Sequence, residues 1–331
     1  MNIPRGIISI TLILSPLGLV LAQEPVGRMD VTRVMGQTAS LLSGPIRCDE
    51  DSRIYLQPVG DNAILRVPSS GREAIRMPIA LKESEQVRDF SVSPAGDVSV
   101  LVTGAIKVTE GRPEIPPNFV VTLTSDEERG RIRLALSSYR ADRLAVLKGG
   151  EFLVLGSVFN VPAYRPQRML TLFDSRGGLL RQIQKFDDAK DQAALEPVGE
   201  LVSMITGSDE NAYLKLPSHG EKKEATILVV TPSGTIRNTL HISEPADYDF
   251  YDMKESGGHL ALVFARMEMK EGRTSEVSTI VKVVYSNDGS EIATYVSPDI
   301  GLAFGCYSHG KFTFIRSAMD GTMELWSFSG R

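Results

Sequence analysis

Residues that commonly carry metal, redox or nucleotide chemistry are scarce in this sequence of 331 residues, which has two cysteines, four histidines and one tryptophan. The histidines do not pair with one another, with a cysteine or with a carboxylate at the spacing of a known metal motif. The sequence also lacks a glycine-rich phosphate loop and the alternation of aromatic and basic residues that is typical of nucleic-acid binding. It therefore identifies no zinc, nucleotide or nucleic-acid site and no reaction.

The chain carries no strong excess of charge of either sign, since its formal net charge is -5 with 23% charged residues. This balance gives no electrostatic reason to bind nucleic acid or an anionic membrane. With 42% hydrophobic residues, the chain has enough apolar material for a large core. Composition thus predicts an ordinary globular protein with no nucleic-acid partner.

One long apolar run lies at the N-terminus, between Ile7 and Leu21. Arg5 precedes this run, and small residues that suit a cleavage site follow it, ending at Ala22. A membrane anchor would need about 20 apolar residues, whereas this run is shorter and is interrupted by serine, proline and glycine. We therefore expect residues 1–22 to be a cleaved signal peptide, and the mature protein to be secreted or periplasmic, soluble and not inserted in a membrane.

Beyond the N-terminus, apolar and polar residues alternate and tight turns recur, which is typical of β-strands. One strand-turn-strand frame is repeated along the chain, and its turn contains a glycine. These glycines lie about 52 residues apart on average, a spacing typical of propeller blades. They are Gly71, Gly130, Gly177, Gly234, Gly289 and Gly330.

A second hairpin precedes each of these frames, so that a complete repeat contains four strands. The second strand of that hairpin is recognisable in segments such as RIYLQPV, EFLVLGSVF and KFTFIRS. Four-stranded antiparallel sheets that repeat six times, each too small to bury its faces alone, predict an all-β fold, a six-bladed β-propeller over residues 46–331. The alternative, a pair of β-sandwiches, would require neither a common period nor a repeated turn chemistry.

The turns of the repeat resemble those of a known group of proteins. The segments LFDSRGG and VVTPSGT are similar to turns of the six-bladed TolB-like and NHL-like propeller superfamily. The resemblance covers most of residues 46–331 and implies the fold alone, because such turns recur in lactonases, sugar dehydrogenases, accessory proteins of transporters and interaction modules. It therefore leaves open whether the protein is an enzyme or a binding module.

The last repeat stops after its third strand, at LWSFSGR, and so lacks an outer strand. An open sheet edge would be a hazard, because it can pair with another chain. A β-capable stretch from Met29 to Leu42 lies before the first repeat, within the N-terminal segment 23–45. We expect this stretch to complete the sixth blade and to close the ring.

Ring closure would bring the two cysteines together, because the segments RCDEDSRIYL and GCYSHGKFTF occupy the same place in the first and last repeats. Cys48 and Cys306 would then both lie on innermost strands of neighbouring blades. Two interpretations are open: a disulfide that locks the seam of the ring, as an oxidising compartment allows, or two buried thiols. The second holds if the two Cα atoms are more than about 7 Å apart.

Carboxylates stand near the start of the innermost strand in four successive repeats. At this mouth of the channel they could hold calcium, as in the lactonase-like propellers that the fold resembles, and the protein would then be a metal-dependent hydrolase or lactonase. Neighbouring arginines could instead pair with them, in which case the mouth is a solvated polar funnel. The acids are Asp89, Asp142, Glu200 and Asp249, and the arginines are Arg47, Arg88 and Arg143.

In a four-stranded meander, the connections between the second and third strands and those between blades emerge on one face, here called the long-loop face. The former connections are long in repeats two to five, although some could be extended β-hairpins. Because insertions on one face are where propellers bind partners, we expect a protein or peptide partner there rather than catalysis, and no cofactor apart from the calcium considered above. The expected contact residues are Ile115, Phe159, Tyr164, Arg165 and Arg168.

Overall fold

A computed structural model describes residues 27–30, 45–58, 61–70, 73–109, 112–124, 128–159, 166–186, 203–216, 223–270, 273–296, 303–317 and 322–329. Within these ranges the chain forms 26 strands and no helix. The described part of the chain accordingly contains no helix long and apolar enough to cross a membrane. The predicted signal peptide lies outside it.

The described residues form six sheets of four antiparallel strands and one separate two-stranded sheet. Each four-stranded sheet is called a blade, and the blades are numbered along the chain. Blade 1 contains β2 (Arg47–Cys48), β3 (Ile54–Leu56), β4 (Ala63–Val67) and β5 (Ile75–Pro78). Blade 2 contains β6 (Glu85–Val92), β7 (Val98–Gly104), β10 (Asn118–Leu123) and β11 (Glu128–Arg133), with a small hairpin of β8 (Lys107–Thr109) and β9 (Arg112–Glu114) inserted after β7. Blade 3 contains β12 (Tyr139–Val146), β13 (Phe152–Phe159), β14 (Pro166–Phe173) and β15 (Leu179–Phe186).

The remaining blades follow the same plan. Blade 4 contains β16 (Met204–Thr206), β17 (Ala212–Leu216), β18 (Glu224–Val230) and β19 (Ile236–Ser243). Blade 5 contains β20 (Asp249–Ser256), β21 (His259–Lys270), β22 (Arg273–Tyr285) and β23 (Glu291–Val296). Blade 6 contains β24 (Ala303–Ser308), β25 (Lys311–Ser317), β26 (Thr322–Ser329) and, at its outer edge, β1 (Gly27–Asp30).

The innermost strand of each blade is the first one in sequence, apart from the added β1 in blade 6. Each innermost strand contacts the innermost strand of the next blade, and β24 contacts β2. The blades therefore form a closed ring, and the predicted six-bladed β-propeller is confirmed.

The hydrophobic core lies between the blades. Six apolar clusters of described residues each take side chains from two successive blades. At the seam, Ile54 and Leu65 of blade 1 lie in one cluster with Ile315 and Leu325 of blade 6. Alternation along each strand sends side chains to both faces of a blade, so each blade is buried against two neighbours.

In blades 3 and 4, the repeated turn glycine lies against the preceding blade. Gly177 of blade 3 has a positive φ of 84°, and a Cβ atom there would lie 2.1 Å from the carbonyl oxygen of Arg133 in blade 2. Gly234 of blade 4 has a φ of 70°, and its Cβ would lie 2.5 Å from a methyl carbon of Leu172 in blade 3. The backbone conformation and the contact between blades thus both require glycine.

An N-terminal strand forms the outer edge of blade 6. β1 pairs antiparallel with β26, and Gly27 lies opposite Leu325. This strand begins upstream of the predicted stretch 29–42, of which residues 31–42 lie outside the described part of the chain.

Deletion of residues 23–44 is expected to destabilise the protein and to promote its association, because it removes β1 and leaves the edge of β26 unpaired. Thermal unfolding and size-exclusion chromatography measure the two effects. Deletion of residues 23–26 alone keeps β1 and serves as the control. A 23–44 deletion variant that melts at the same temperature as this control and stays in the same oligomeric state would contradict the prediction.

Candidate functional site

Cys48 and Cys306 form a disulfide bond across the seam between blades 1 and 6. Cys48 is the last residue of β2, and Cys306 lies in β24, so both are on innermost strands. Their Cα atoms are 5.5 Å apart, within the range that a disulfide spans, although 258 positions separate them in sequence. Of the two interpretations that the sequence leaves open, the seam disulfide is confirmed.

Ion pairs and hydrogen bonds cross between blades around the axis. Arg47 of blade 1 is 5% exposed, and its Nη2 lies 3.5 Å from Oδ1 of Asp89 in blade 2. The same nitrogen donates a hydrogen bond to the carbonyl oxygen of Met204 in blade 4, at 3.1 Å. Asp89 also accepts a hydrogen bond from the backbone N–H of Leu144 in blade 3, at 2.8 Å. Blades 1 to 4 are thus joined at their innermost strands.

Lys254 of blade 5 extends this network back to blade 1. Its Nζ donates to Oδ2 of Asp252 at 2.8 Å and to the carbonyl oxygen of Ile46 at 2.5 Å. The hydroxyl group of Ser203 in blade 4 donates to Oδ1 of Asp252 at 3.0 Å. Burial lowers the pKa of Lys254 to about 8, although the charge of Asp252 opposes this shift. An ion pair and hydrogen bonds therefore link five of the blades, and the disulfide links the sixth.

Two of the acids considered as calcium ligands are buried and paired with arginines. Asp89 is paired with Arg47 as described above. Asp142 of β12 forms an ion pair with Arg168 of the same blade, and its Oδ1 lies 3.5 Å from Nε of Arg140. Both carboxylates thus have cations from the protein itself.

The other two acids are not brought to this cluster by the described residues. The side chain of Asp249 is 85% exposed, and its carboxylate lies 3.8 Å from Nζ of Lys223. Glu200 lies outside the described residues. Within the described ranges, no three His, Cys, Asp or Glu side chains are grouped so that they could hold a metal ion. A calcium site that includes Glu200 stays a prediction.

Two adjoining cavities lie at the end of the channel opposite the long-loop face. Each has a volume of about 20 Å³, enough for about one water molecule. Both are lined by Cys48, Thr206 and Glu255. Burial raises the pKa of Glu255, whose Oε2 accepts hydrogen bonds from the backbone N–H of Ser208 at 2.5 Å and from its hydroxyl group at 3.0 Å. Glu255 thereby fixes a turn of blade 4 to blade 5.

Two β-hairpins extend from the long-loop face. In blade 5, β21 and β22 continue beyond the sheet as a two-stranded ribbon that ends with Lys270 opposite Arg273. In blade 2, β8 and β9 form a separate hairpin between the second and third strands of the sheet. Blades 2 and 5 are three places apart in the ring of six, so their hairpins stand on opposite sides of the same face.

The expected contact residues on this face are only partly within the described ranges. Ile115 follows β9, Phe159 ends β13, and both are half-buried. Tyr164 and Arg165 lie outside the described residues. Their part in partner binding therefore stays a prediction.

Arg168 does not lie on a loop, contrary to the expectation from the sequence. It belongs to β14, is 5% exposed and is paired with Asp142. The strand already begins at Pro166, since the first residue of a strand tolerates the missing N–H of proline. Arg168 thus has a structural partner inside blade 3.

Two cations of the axial network, Lys254 and Arg140, were not singled out from the sequence. Both lie on innermost strands, in β20 and β12. Superposing the repeats places charged residues next to the acids on these strands, and this is the signal that would have found them.

No family model and no curated protein matches the chain. Among solved structures, virginiamycin B lyase from Staphylococcus aureus is 13% identical over 90% of this chain and 97% of that chain, with a TM-score of 0.45. The Neurospora crassa Pan2 WD40 domain is 11% identical over 93% and 96%, with a TM-score of 0.47. The PQQ-bound aldose sugar dehydrogenase from Streptomyces coelicolor is 8% identical over 88% and 97%, with a TM-score of 0.45.

These likenesses are too distant to carry an argument about function. The class of the protein is defined by the arrangement of its own sheets and by the disulfide at the seam of the ring. It is a six-bladed β-propeller whose first and last blades are joined by a disulfide.

Proposed function

We propose that the protein is a binding or scaffold module that receives a protein or peptide partner on its long-loop face, outside the cell or in a periplasm. The observation that carries this proposal is the two-stranded ribbon of blade 5. The seam disulfide supports the compartment, because disulfides persist in oxidising surroundings. The apolar run at the N-terminus also supports secretion, because it has the pattern of a signal peptide.

The ribbon extends beyond the strands that flank it within its blade. The pairing of β20 with β21 reaches only to Ala265, and the pairing of β23 with β22 reaches only to Ile280. Among the described residues, the segment from Met267 to Lys270 therefore pairs only with its own return strand. A two-stranded ribbon is marginally stable alone in water, and its free edges offer backbone donors and acceptors to an added strand. A partner that packs along the ribbon would supply the missing support.

The axis of the ring favours a surface partner over a reaction inside the channel. Arg47, Asp89, Asp252 and Lys254 are held there by one another and by backbone groups. The two cavities lined by Cys48, Thr206 and Glu255 have about 20 Å³ each, so an organic substrate bound there would have to displace ion pairs.

Replacement of residues 268–275 by a two-residue Asn-Gly turn is expected to weaken partner binding and to leave the blade folded, because Met267 and Glu276 already face each other across the ribbon.

The double variant Tyr164→Ala/Arg165→Ala should weaken binding by about 2 kcal/mol without changing the melting temperature, since aromatic and arginine side chains on proline-stiffened loops lose little entropy on docking. The partner is identified by crosslinking in the native compartment, and its affinity for each variant is measured by calorimetry.

Ser233→Ala, in an outer turn on the opposite face, is the control and should not change the affinity. An affinity that is unchanged by both the shortened ribbon and the double alanine variant would show that the partner does not use the long-loop face.

A further inference from the structure

Arg88 is the extra residue of a β-bulge in the innermost strand of blade 2. Val87 pairs with Val102 and Asp89 pairs with Leu101, so Arg88 has no partner across the ladder. A bulge of this kind turns a side chain away from the regular alternation of the strand, and bulges often lie next to binding sites. The bulge of β6 therefore determines where the Arg88 guanidinium points.

The same level of blade 3 carries a second bulge, at Asp142 of β12. Two cross-blade hydrogen bonds fix β6 against β12: Leu144 N–H donates to Asp89 at 2.8 Å, and Val146 N–H donates to the hydroxyl oxygen of Ser91 at 3.2 Å. Because both innermost strands run in the same direction, this register brings Arg88 close to Asp142 and its neighbours on β12.

The acids near Arg88 are already engaged by other groups. Asp89 binds Arg47 and the backbone of β12, and Asp142 is paired with Arg168 and lies 3.5 Å from Arg140. Two cations therefore approach Asp142 while Arg88 remains beside it.

The guanidinium groups of Arg88 and Arg140 have hydrogen-bonding capacity that the described residues do not use. Nε of Arg88 and Nε of Arg140 are both buried and neither makes a hydrogen bond, although Nε of Arg140 lies 3.5 Å from Oδ1 of Asp142. Burial lowers the pKa of Arg88, and the charges of Arg140 and Arg143 lower it further, whereas Asp142 opposes the shift. A buried donor without an acceptor costs stability, so this arrangement is suited to an acceptor that comes from outside the chain.

We propose that Arg88 and Arg140 form a binding site for an oxyanion between blades 2 and 3, near the long-loop end of the channel, and that its ligand is a carboxylate group of an acidic peptide. Guanidinium groups bind carboxylates through paired, charge-assisted hydrogen bonds in a fixed plane. The inference deepens the proposed function, on which it rests, by giving the partner its chemistry. It also assigns to this end of the channel a ligand of opposite charge to calcium.

The test uses the full mature protein and a triglutamate peptide with blocked termini. Calorimetry at constant ionic strength should detect its binding, and Arg88→Gln should weaken that binding by at least about tenfold. A matched triglutamine peptide should not bind. Arg237→Gln, which removes an exposed arginine of the outer strand of blade 4, is the control and should bind like the unaltered protein.

Inorganic phosphate is the second probe and separates a peptide carboxylate from a free anion. Binding of phosphate without binding of triglutamate would overturn the peptide assignment. If the unaltered protein binds neither probe, or if Arg237→Gln weakens binding as much as Arg88→Gln, the site itself is wrong.

Thermal unfolding without ligand gives an independent readout. Arg88→Gln should raise the melting temperature, because it removes a half-buried charge that forms no ion pair among the described residues and whose repulsion by Arg140 and Arg143 is only partly offset by Asp142. A lower melting temperature would mean that Arg88 stabilises the fold, and would overturn the proposal. A partner whose affinity falls on shortening the ribbon but not with Arg88→Gln would overturn this inference and leave the proposed function intact.

Discussion

Reduction of the Cys48–Cys306 disulfide is expected to lower the free energy of unfolding by several kcal/mol. The bond closes a loop with a sequence separation of 258 residues. The entropy that a loop of this length removes from the unfolded chain contributes on the order of 5 kcal/mol to the free energy of unfolding. That figure is an upper value, since residual structure in the unfolded chain reduces it. Urea unfolding with and without a reductant measures the difference, and mass spectrometry verifies the state of the cysteines.

The double variant Cys48→Ala/Cys306→Ala is the matched control for this experiment. It should unfold like the reduced protein and should not respond to the reductant, because the chain has no other cysteine. A reductant that shifts this variant as much as the unaltered protein would remove the disulfide as the cause. Free thiols at both positions in protein taken from its native compartment would contradict the bond itself.

Asp89→Ala is expected to destabilise the protein by about 3–5 kcal/mol, because it leaves Arg47 buried without its carboxylate and the N–H of Leu144 without its acceptor. The loss falls at the place where the innermost strands of blades 1, 2 and 3 meet. The shift of the urea midpoint, measured with the disulfide intact, gives its size.

An exposed ion pair between blades gives the comparison. Lys148 of blade 3 binds Glu210 of blade 4 at 2.7 Å, with side chains 66% and 34% exposed. Lys148→Ala should therefore cost less than about 1 kcal/mol. Equal effects of the two substitutions would show that the axial network stabilises the protein no more than an exposed ion pair does.

The fold could be predicted because it is repeated. A strand pattern and a turn glycine that recur along the chain determine the number of blades without knowledge of any contact. The reason for the glycine could not be predicted, since it depends on a carbonyl oxygen of another blade, as at Gly177 and Arg133.

The sequence was least informative for segments whose structure is decided by long-range pairing. It left open whether the charge-rich connection of blade 5 is a loop or an extended β-hairpin, and residues 266–270 and 273–278 continue the ladder of β21 and β22. The strand at the outer edge of blade 6 begins at Gly27 rather than at Met29, because pairing with β26 decides its position. The local composition of these segments does not reveal the strand with which each of them pairs.

The candidate site was predictable only as a set of residues. The sequence placed acids and arginines near the axis, and Asp89 does lie there beside Arg47. The sequence could not show which arginine pairs with which carboxylate, because the bulge at Arg88 and the register between β6 and β12 arise only when two blades pack together.

The seam disulfide turns the segment from Cys48 to Cys306 into a covalent circle that passes through all six blades. A protease that cuts once within this circle, for example in the connection between β13 and β14, produces two fragments that are still joined by the disulfide. The packing between blades can then hold the fragments in place, because each blade is buried against both neighbours. In a protease-rich compartment, a single cleavage would therefore nick the molecule without releasing any part of the ring.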